Sequence, residues 1–111
     1  MENIDKETKR KISRLQMLEQ RLQNLTMQNQ TFQTQSMEAD NALREIDNSE
    51  DTYKVIGNVM ISVEKSKLKE ELTSKKEIAD MKVNNLEKEE KKLREEATEL
   101  QKEVMGSIKN E

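Results

Sequence analysis

The stretch Tyr53-Lys54-Val55-Ile56-Gly57-Asn58-Val59-Met60-Ile61-Ser62-Val63 lies in the middle of a 111-residue chain and decides how the flanking sequence is interpreted. Its apolar, largely β-branched residues form two short runs with Gly57-Asn58 between them, which is the pattern of a β-hairpin with a two-residue turn. Gly57 can adopt the positive φ that a primed turn needs, and Asn58 tolerates it. The stretch therefore predicts a hairpin over about residues 53–63.

Heptad repeats flank the hairpin on both sides and predict two long helices. The first line of heptad positions is Leu15, Leu18, Leu22, Leu25, Asn29, Phe32, Ser36, Ala39, Leu43 and Ile46. The second line is Leu72, Lys76, Ala79, Val83, Leu86, Glu90, Leu93, Ala97, Leu100 and Val104. Because the chain has no proline, nothing breaks helix 1 over about residues 5–47 or helix 2 over about 65–108. Gly106 leaves the helicity of the last few residues open.

A hairpin between the helices turns helix 2 back along helix 1, so the two apolar lines should meet antiparallel. In an antiparallel pair, the sequence numbers of two opposed residues always add up to the same total. A total of 115 places every a position opposite a d position, as in Leu22 with Leu93. We therefore predict a single domain over residues 1–111 that is mainly α. It is a long antiparallel coiled-coil helical hairpin with a short β-hairpin at its midpoint.

The predicted β-hairpin is apolar on both faces, and an isolated two-stranded hairpin is only marginally stable in water. Either several copies pool their hairpins into a shared sheet or barrel, or the hairpin folds back over its own coiled coil, which still leaves its edges exposed. We predict the first arrangement, an oligomeric β-barrel. The predicted assembly residues are Tyr53, Val55, Ile56, Gly57, Val59, Met60, Ile61 and Val63.

Further apolar residues lie near the chain termini, at the free end of the predicted coiled coil. Ile12, Met105 and Ile108 fall at e, b and e positions, away from the apolar line, so we expect them to be exposed. Such side chains suit reversible binding of non-native chains, although scattered surface hydrophobes are also ordinary. The predicted client-binding residues are Ile4, Ile12, Leu15, Val104, Met105 and Ile108.

The composition excludes several classes of function. The chain has no His and no Cys, which removes the usual zinc, haem and iron–sulfur ligands, thiol nucleophiles and the imidazole base of a Ser or Cys triad. No glycine-rich phosphate loop is present, so we expect no cofactor and no enzymatic activity. No long apolar run predicts a membrane span, and a net charge of -3 argues against nucleic acid as a partner. We expect a soluble, cytoplasmic protein.

The run from Tyr53 to Ile61, followed by Leu68 and Leu72 and flanked by two coiled-coil helices, resembles the beta-class subunit of prefoldin, an archaeal and eukaryotic co-chaperone. A single hairpin is similar to the beta class, because alpha-class subunits have two. The resemblance implies a hetero-oligomeric hexamer of two alpha and four beta subunits, with a double β-barrel base and six coiled coils. It also implies ATP-independent capture of unfolded chains for delivery to a group II chaperonin.

The alternative function belongs to a different class of protein. A coiled coil with apolar residues at its end can also act as a structural scaffold or tether that binds one specific partner. The sequence features above are compatible with both functions.

Overall fold

The computed structural model describes residues 5–109. Its elements in chain order are helix α1 (Lys6–Asp47), strand β1 (Tyr53–Ile56), strand β2 (Val59–Ser62) and helix α2 (Lys65–Lys109). Two long helices joined by a short antiparallel β-hairpin confirm the predicted fold class. Helix α2 continues through Gly106, so the residues whose helicity the sequence left open are helical as far as Lys109. Along the described residues, no helix carries an apolar stretch of the length that would cross a membrane.

Helix α1 begins after a side-chain cap. The backbone N–H of Thr8 donates a hydrogen bond to Oδ1 of Asp5 at 2.7 Å, which satisfies one of the free donors of the first helical turn. The pKa of Asp5 lies below its usual value. The largest cause is hydrogen bonding by the Thr8 side chain, and the second is the hydrogen bond from the Thr8 backbone. The first turn is thus fixed by a charged cap.

The end of α1 is held by residues at the start of α2. The ammonium group of Lys65 donates hydrogen bonds to the backbone oxygens of Asp47, at 3.4 Å, and Ser49, at 3.0 Å. Lys69 forms an ion pair with the Asp47 carboxylate. The hydrogen bond from Lys69 is the main reason that the pKa of Asp47 lies below its usual value. The first turns of α2 therefore satisfy carbonyl groups that the end of α1 leaves free.

The two strands pair antiparallel with Val55 opposite Met60 and Ile56 opposite Val59, so Gly57-Asn58 is a two-residue turn. Gly57 has a φ of 62°, as predicted. Asn58 does not take a positive φ. Positive φ at the first central residue alone is the pattern of a type II′ turn, which requires a glycine only there. Gly57 is therefore the residue on which the turn depends.

The base of the hairpin is closed by Thr52, a residue that the sequence analysis did not identify. Its carbonyl oxygen accepts a hydrogen bond from the N–H of Val63 at 3.0 Å. Its hydroxyl donates to the carbonyl oxygen of Val63 at 2.6 Å. Thr52 is buried, so these bonds form away from water, where leaving either group unpaired would be costly.

The chain divides into two compact units, each of which contains parts of both helices. The described residues up to Asn29 and from Asn85 onward form one unit, which we call the helical unit. Residues Gln30–Asn84 form the other, which includes both strands and which we call the hairpin unit.

Burial in both units follows the predicted heptad positions. In the helical unit, Leu18 is 2% and Leu25 is 0% exposed. In the hairpin unit, the buried apolar residues are Ala39, Ile46 and Ala79. All of them belong to the two predicted apolar lines, so the heptad pattern correctly identified the core of each unit. We call this core the seam.

Contacts between α1 and α2 in the helical unit give the register of the seam. Nζ of Lys11 lies 3.3 Å from Oε2 of Glu103, and the Thr26 hydroxyl lies 3.4 Å from Oε1 of Glu90. In each contact, the observed partner on α2 lies within one residue of the position that the sum of 115 predicts. Two further ion pairs flank the same seam, between Arg14 and Glu96 and between Arg21 and Glu89.

The hairpin unit has the same register. The Ser36 hydroxyl donates to Oδ1 of Asp80 at 2.5 Å, and Nζ of Lys82 lies 4.7 Å above the Phe32 ring. These contacts also fall within one residue of the predicted partners. Since a shift by one heptad would move every partner by seven residues, the predicted register is confirmed in each unit.

Cysteines at Leu22 and Leu93 should form a disulfide within one chain, because the register places these two seam positions opposite each other in the helical unit. The cross-link is measured by the mobility of the oxidised protein and by mass spectrometry under dilute conditions. The control pairs are Leu22 with Leu86 and Leu22 with Leu100, each displaced by one heptad. Efficient cross-linking of either control pair, in place of the predicted pair, would contradict the register.

Leu25→Ala should lower the free energy of unfolding by about 2–5 kcal/mol, because it removes a fully buried side chain and leaves a cavity. The control is Met17→Ala in the same helix, where the side chain is exposed and the expected change is below about 0.5 kcal/mol. Both values come from denaturant unfolding followed by the circular dichroism of the helices. Equal losses in the two variants would show that Leu25 is not part of the stabilising core.

Candidate assembly and client-binding surfaces

Both faces of the β-hairpin are apolar and exposed. Because residues opposite each other on paired strands share a face, the register assigns the side chains to two sets. One face carries Tyr53, Val55, Met60 and Ser62, and the other carries Lys54, Ile56, Val59 and Ile61. The large apolar side chains of both faces are between 44% and 66% exposed. The hairpin is therefore not folded back over its own helices, which removes that alternative for the single chain.

The outer edges of the hairpin are also open. Strands β1 and β2 pair only with each other among the described residues, so each has an edge whose backbone N–H and C=O groups have no strand partner. Exposed strand edges next to contiguous apolar surface are typical of sites where another chain adds to the sheet. The hairpin therefore has both features that an assembly surface needs.

The predicted assembly residues do not all occupy equivalent places. Tyr53, Val55 and the other apolar strand residues lie on the exposed faces, and Gly57 forms the turn. Val63 lies just beyond β2 and is half-buried, with its backbone bonded to Thr52. Val63 thus closes the base of the hairpin, whereas the strand residues form its free surface.

An ion pair joins the hairpin to α2. Nζ of Lys54 lies 2.6 Å from Oε1 of Glu71, and Nζ of Lys75 lies 3.7 Å from the same oxygen. The hydrogen bond from Lys54 is the largest cause of the lowered pKa of Glu71. Sequence analysis missed this pair because no spacing rule relates a strand residue to a carboxylate on the following helix.

The predicted client-binding residues of the helical unit differ in how much surface they offer. Met105 is 58% exposed, as expected from its position away from the seam. The expected exposure of Ile12 and Ile108 is wrong: both are half-buried, because e positions border the seam instead of pointing away from it. These three residues are called the tip patch below.

The remaining predicted client-binding residues lie in or near the seam. Val104 is buried and Leu15 is half-buried, so both contribute mainly to packing between the helices. Ile4 lies outside the described residues. The apolar surface near the chain ends is therefore provided mostly by Met105, with partial contributions from Ile12 and Ile108.

Comparison with known proteins gives the family of this chain. A family model for prefoldin subunits matches residues 9–111. The chain belongs to the prefoldin subunit family. The resemblance inferred from the hairpin motif and its flanking helices is thereby confirmed.

Two curated relatives are prefoldin beta subunits, the class that the single hairpin predicted. The chain is 33% identical to the prefoldin subunit beta of Thermococcus onnurineus strain NA1, over 98% of this chain and 97% of that protein. It is 37% identical to the prefoldin subunit beta of Thermococcus gammatolerans, over 98% of this chain and 96% of that protein. The similarity therefore extends over both helices and the hairpin.

A solved structure shares the same fold. The prefoldin beta subunit from Thermococcus strain KS-1 superimposes with a TM-score of 0.85 at 32% sequence identity, and the match covers 96% of each chain. Subunits of the prefoldin family form hetero-oligomers with other subunits. The apolar hairpin with open edges is thus found in a family whose members assemble.

Met60→Lys should prevent assembly with an alpha-class prefoldin subunit, because it puts a charge on an exposed apolar face of the hairpin that assembly would bury. The helices should keep their circular dichroism, since the seam is untouched. The measurement is the native mass of the mixed subunits. Met81→Lys is the matched control, the same substitution at an exposed position of α2. If the Met60 variant assembled as well as the Met81 variant, the hairpin would not be the assembly surface.

Proposed function

We propose that this chain is the beta subunit of a hetero-oligomeric co-chaperone that holds unfolded polypeptides without ATP and passes them to a group II chaperonin. Its membership of the prefoldin family supports a co-chaperone role. The observation that carries the proposal is the hairpin, which is apolar on both faces, open at both edges and uncovered by its own helices. A single chain with such a surface is one part of a larger assembly.

In this assembly the hairpins join a shared β-barrel. Closure into a barrel pairs the free edges and buries one apolar face, while the second face packs against other parts of the complex. The proposed partners are an alpha-class subunit and further beta subunits, in a hexamer of two alpha and four beta chains. The complex is proposed to act in the cytoplasm.

Client capture is assigned to the tip patch. Met105 offers an exposed, flexible and polarizable thioether, which adapts to side chains of many shapes. Ile12 and Ile108 extend this surface with partly exposed apolar area. Because the seam holds the helices together through other residues, these side chains can contact a client while the coiled coil stays folded. Leu15 and Val104 support the patch from the same end of the helices.

The proposed activity requires no catalysis. Binding unfolded chains needs only apolar surface, whose burial is favourable without an energy source. The charged residues that flank the seam in the helical unit form surface ion pairs, such as Arg14 with Glu96, in which both side chains are about half exposed. Such pairs are typical of a solvated helical surface and differ from the desolvated carboxylates of active sites. We therefore propose a non-enzymatic subunit without a cofactor.

The assembled complex should suppress the aggregation of several unrelated denatured proteins. The assay follows light scattering after dilution of each denatured client, with and without the complex of this chain and its alpha-class partner. A structural tether that binds one specific partner is the competing function, and it would protect none or only one of the clients. Protection of one client alone, or of none, would therefore overturn the holdase assignment.

Changing Ile12, Met105 and Ile108 together to Ser should remove most of the protection while the complex still assembles, because the variant loses apolar area at the tip patch. Since Ile12 and Ile108 are half-buried, the assay is run at a temperature where native mass and helicity match the wild type. The control changes Met17, Met37 and Met81 together to Ser, all exposed residues elsewhere on the helices. Undiminished protection by the tip variant would move the client site to other surfaces.

A further inference from the structure

The hairpin is linked to the helices by two short segments, the first of which is held to α2 at Ser49, whose carbonyl oxygen accepts a hydrogen bond from Lys65. Residues 48–52 join α1 to β1, and residues 63–64 join β2 to α2. The hydrogen bonds between Thr52 and Val63 hold the two strands together at their base. Both residues belong to the base of the hairpin, so these bonds do not tie it to a helix.

The ion pair between Lys54 and Glu71 does make that connection. Nζ of Lys54, in β1, reaches Oε1 of Glu71, in α2, at 2.6 Å, and the two side chains are only 38% and 35% exposed. Among residues 53–62, no other side chain forms a hydrogen bond or an ion pair with either helix. The pair is therefore the polar contact that links the sheet to the helix.

The position of Lys54 lets one contact control the whole hairpin. Lys54 stands opposite Ile61, in the middle of the paired strands. Because β1 and β2 are joined by their backbone ladder and by the turn at Gly57, restraining Lys54 restrains both strands together. Restraint at one residue thus sets the direction of every assembly residue on the hairpin.

We propose that Lys54 and Glu71 are positioning residues for assembly: their ion pair holds the hairpin in the direction in which neighbouring subunits add to its edges. This inference rests on the proposed function of the hairpin as the assembly surface. Association is faster when the binding surface is already ordered, because less conformational freedom is lost on contact. The pair acts on the rate of assembly, while the seam determines the stability of the helices.

Two substitutions test the pair directly. Lys54→Met keeps the aliphatic stem of the side chain, and Glu71→Gln keeps its shape, yet each removes one charge. Each should slow association with an alpha-class prefoldin subunit by about two- to fivefold. This is the factor by which a partly exposed ion pair typically changes an equilibrium constant. Association is followed by stopped-flow fluorescence of labelled subunits. Hydrogen exchange of residues 53–62 before mixing should be faster in both variants.

The matched control is Lys75→Met. Lys75 contacts the same Glu71 carboxylate but lies on the same helix, so its loss leaves the connection between strand and helix intact. Association of this variant should equal that of the wild type. The reversed pair, Lys54→Glu with Glu71→Lys, should recover most of the rate that Lys54→Glu alone loses. A general structural effect of the substitutions would not be repaired by reversing the charges.

The outcomes separate this inference from the proposed function. A wild-type chain that fails to associate with an alpha-class subunit would overturn the assembly function and, with it, the role of the pair. A wild-type chain that assembles while Lys54→Met and Lys75→Met show equal rates would overturn the positioning role alone. A reversed pair that stays as slow as Lys54→Glu would also overturn it.

Discussion

The antiparallel packing of one apolar line against the other holds the two helices together and supports the hairpin between them, yet the heptads alone do not fix its register. Glutamates recur at seven-residue spacing along α2, at 89, 96 and 103, and face the arginines and lysines of α1. A shift by one heptad toward the C-terminus of α2 would give Arg14 and Arg21 new glutamate partners, Glu103 and Glu96, whereas the opposite shift would place Arg21 opposite Lys82. The ion pairs flanking the seam therefore accept more than one register. The choice has to be made where the sequence does not repeat, at the hairpin.

The charges at the junction of the helices make that choice. Asp47 ends α1 where the helix dipole is negative, and Lys65 and Lys69 open α2 where it is positive, so each charge is unfavourable for its own helix. Antiparallel packing in the observed register brings these groups together. Lys65 then donates to the carbonyl oxygen of Asp47, the last residue of α1, and Lys69 pairs with the Asp47 carboxylate and lowers its pKa. Charges that disfavour each helix alone thus favour the folded pair.

Sequence reasoning succeeded where a periodic pattern or a local backbone requirement decides the structure. The apolar line predicted Leu25 as a core residue, and the need for positive φ predicted Gly57 in the turn. The seam continues past Lys76, as predicted, although a lysine at a seam position interrupts the apolar line. Lys76 extends its ammonium group to the Asp80 carboxylate, and this hydrogen bond raises the pKa of Lys76. The ion pair of Lys54 with Glu71 could not be predicted, since it depends on how the strand lies against the helix.

The residues that hold the helices together differ from the apolar residues that are exposed. This is why the chain can stay folded while many of its large apolar side chains face solvent. The helices are stabilised by residues such as Leu18 and Leu25, which are buried without the hairpin strands or the tip patch. Both residues lie in the helical unit, so the apolar strand residues take no part in the core that buries them, and Met105 stays 58% exposed. A compact enzyme domain buries most of its large apolar side chains in order to fold. Here the repeating seam performs that role along the helices, while the apolar strand residues and Met105 stay exposed.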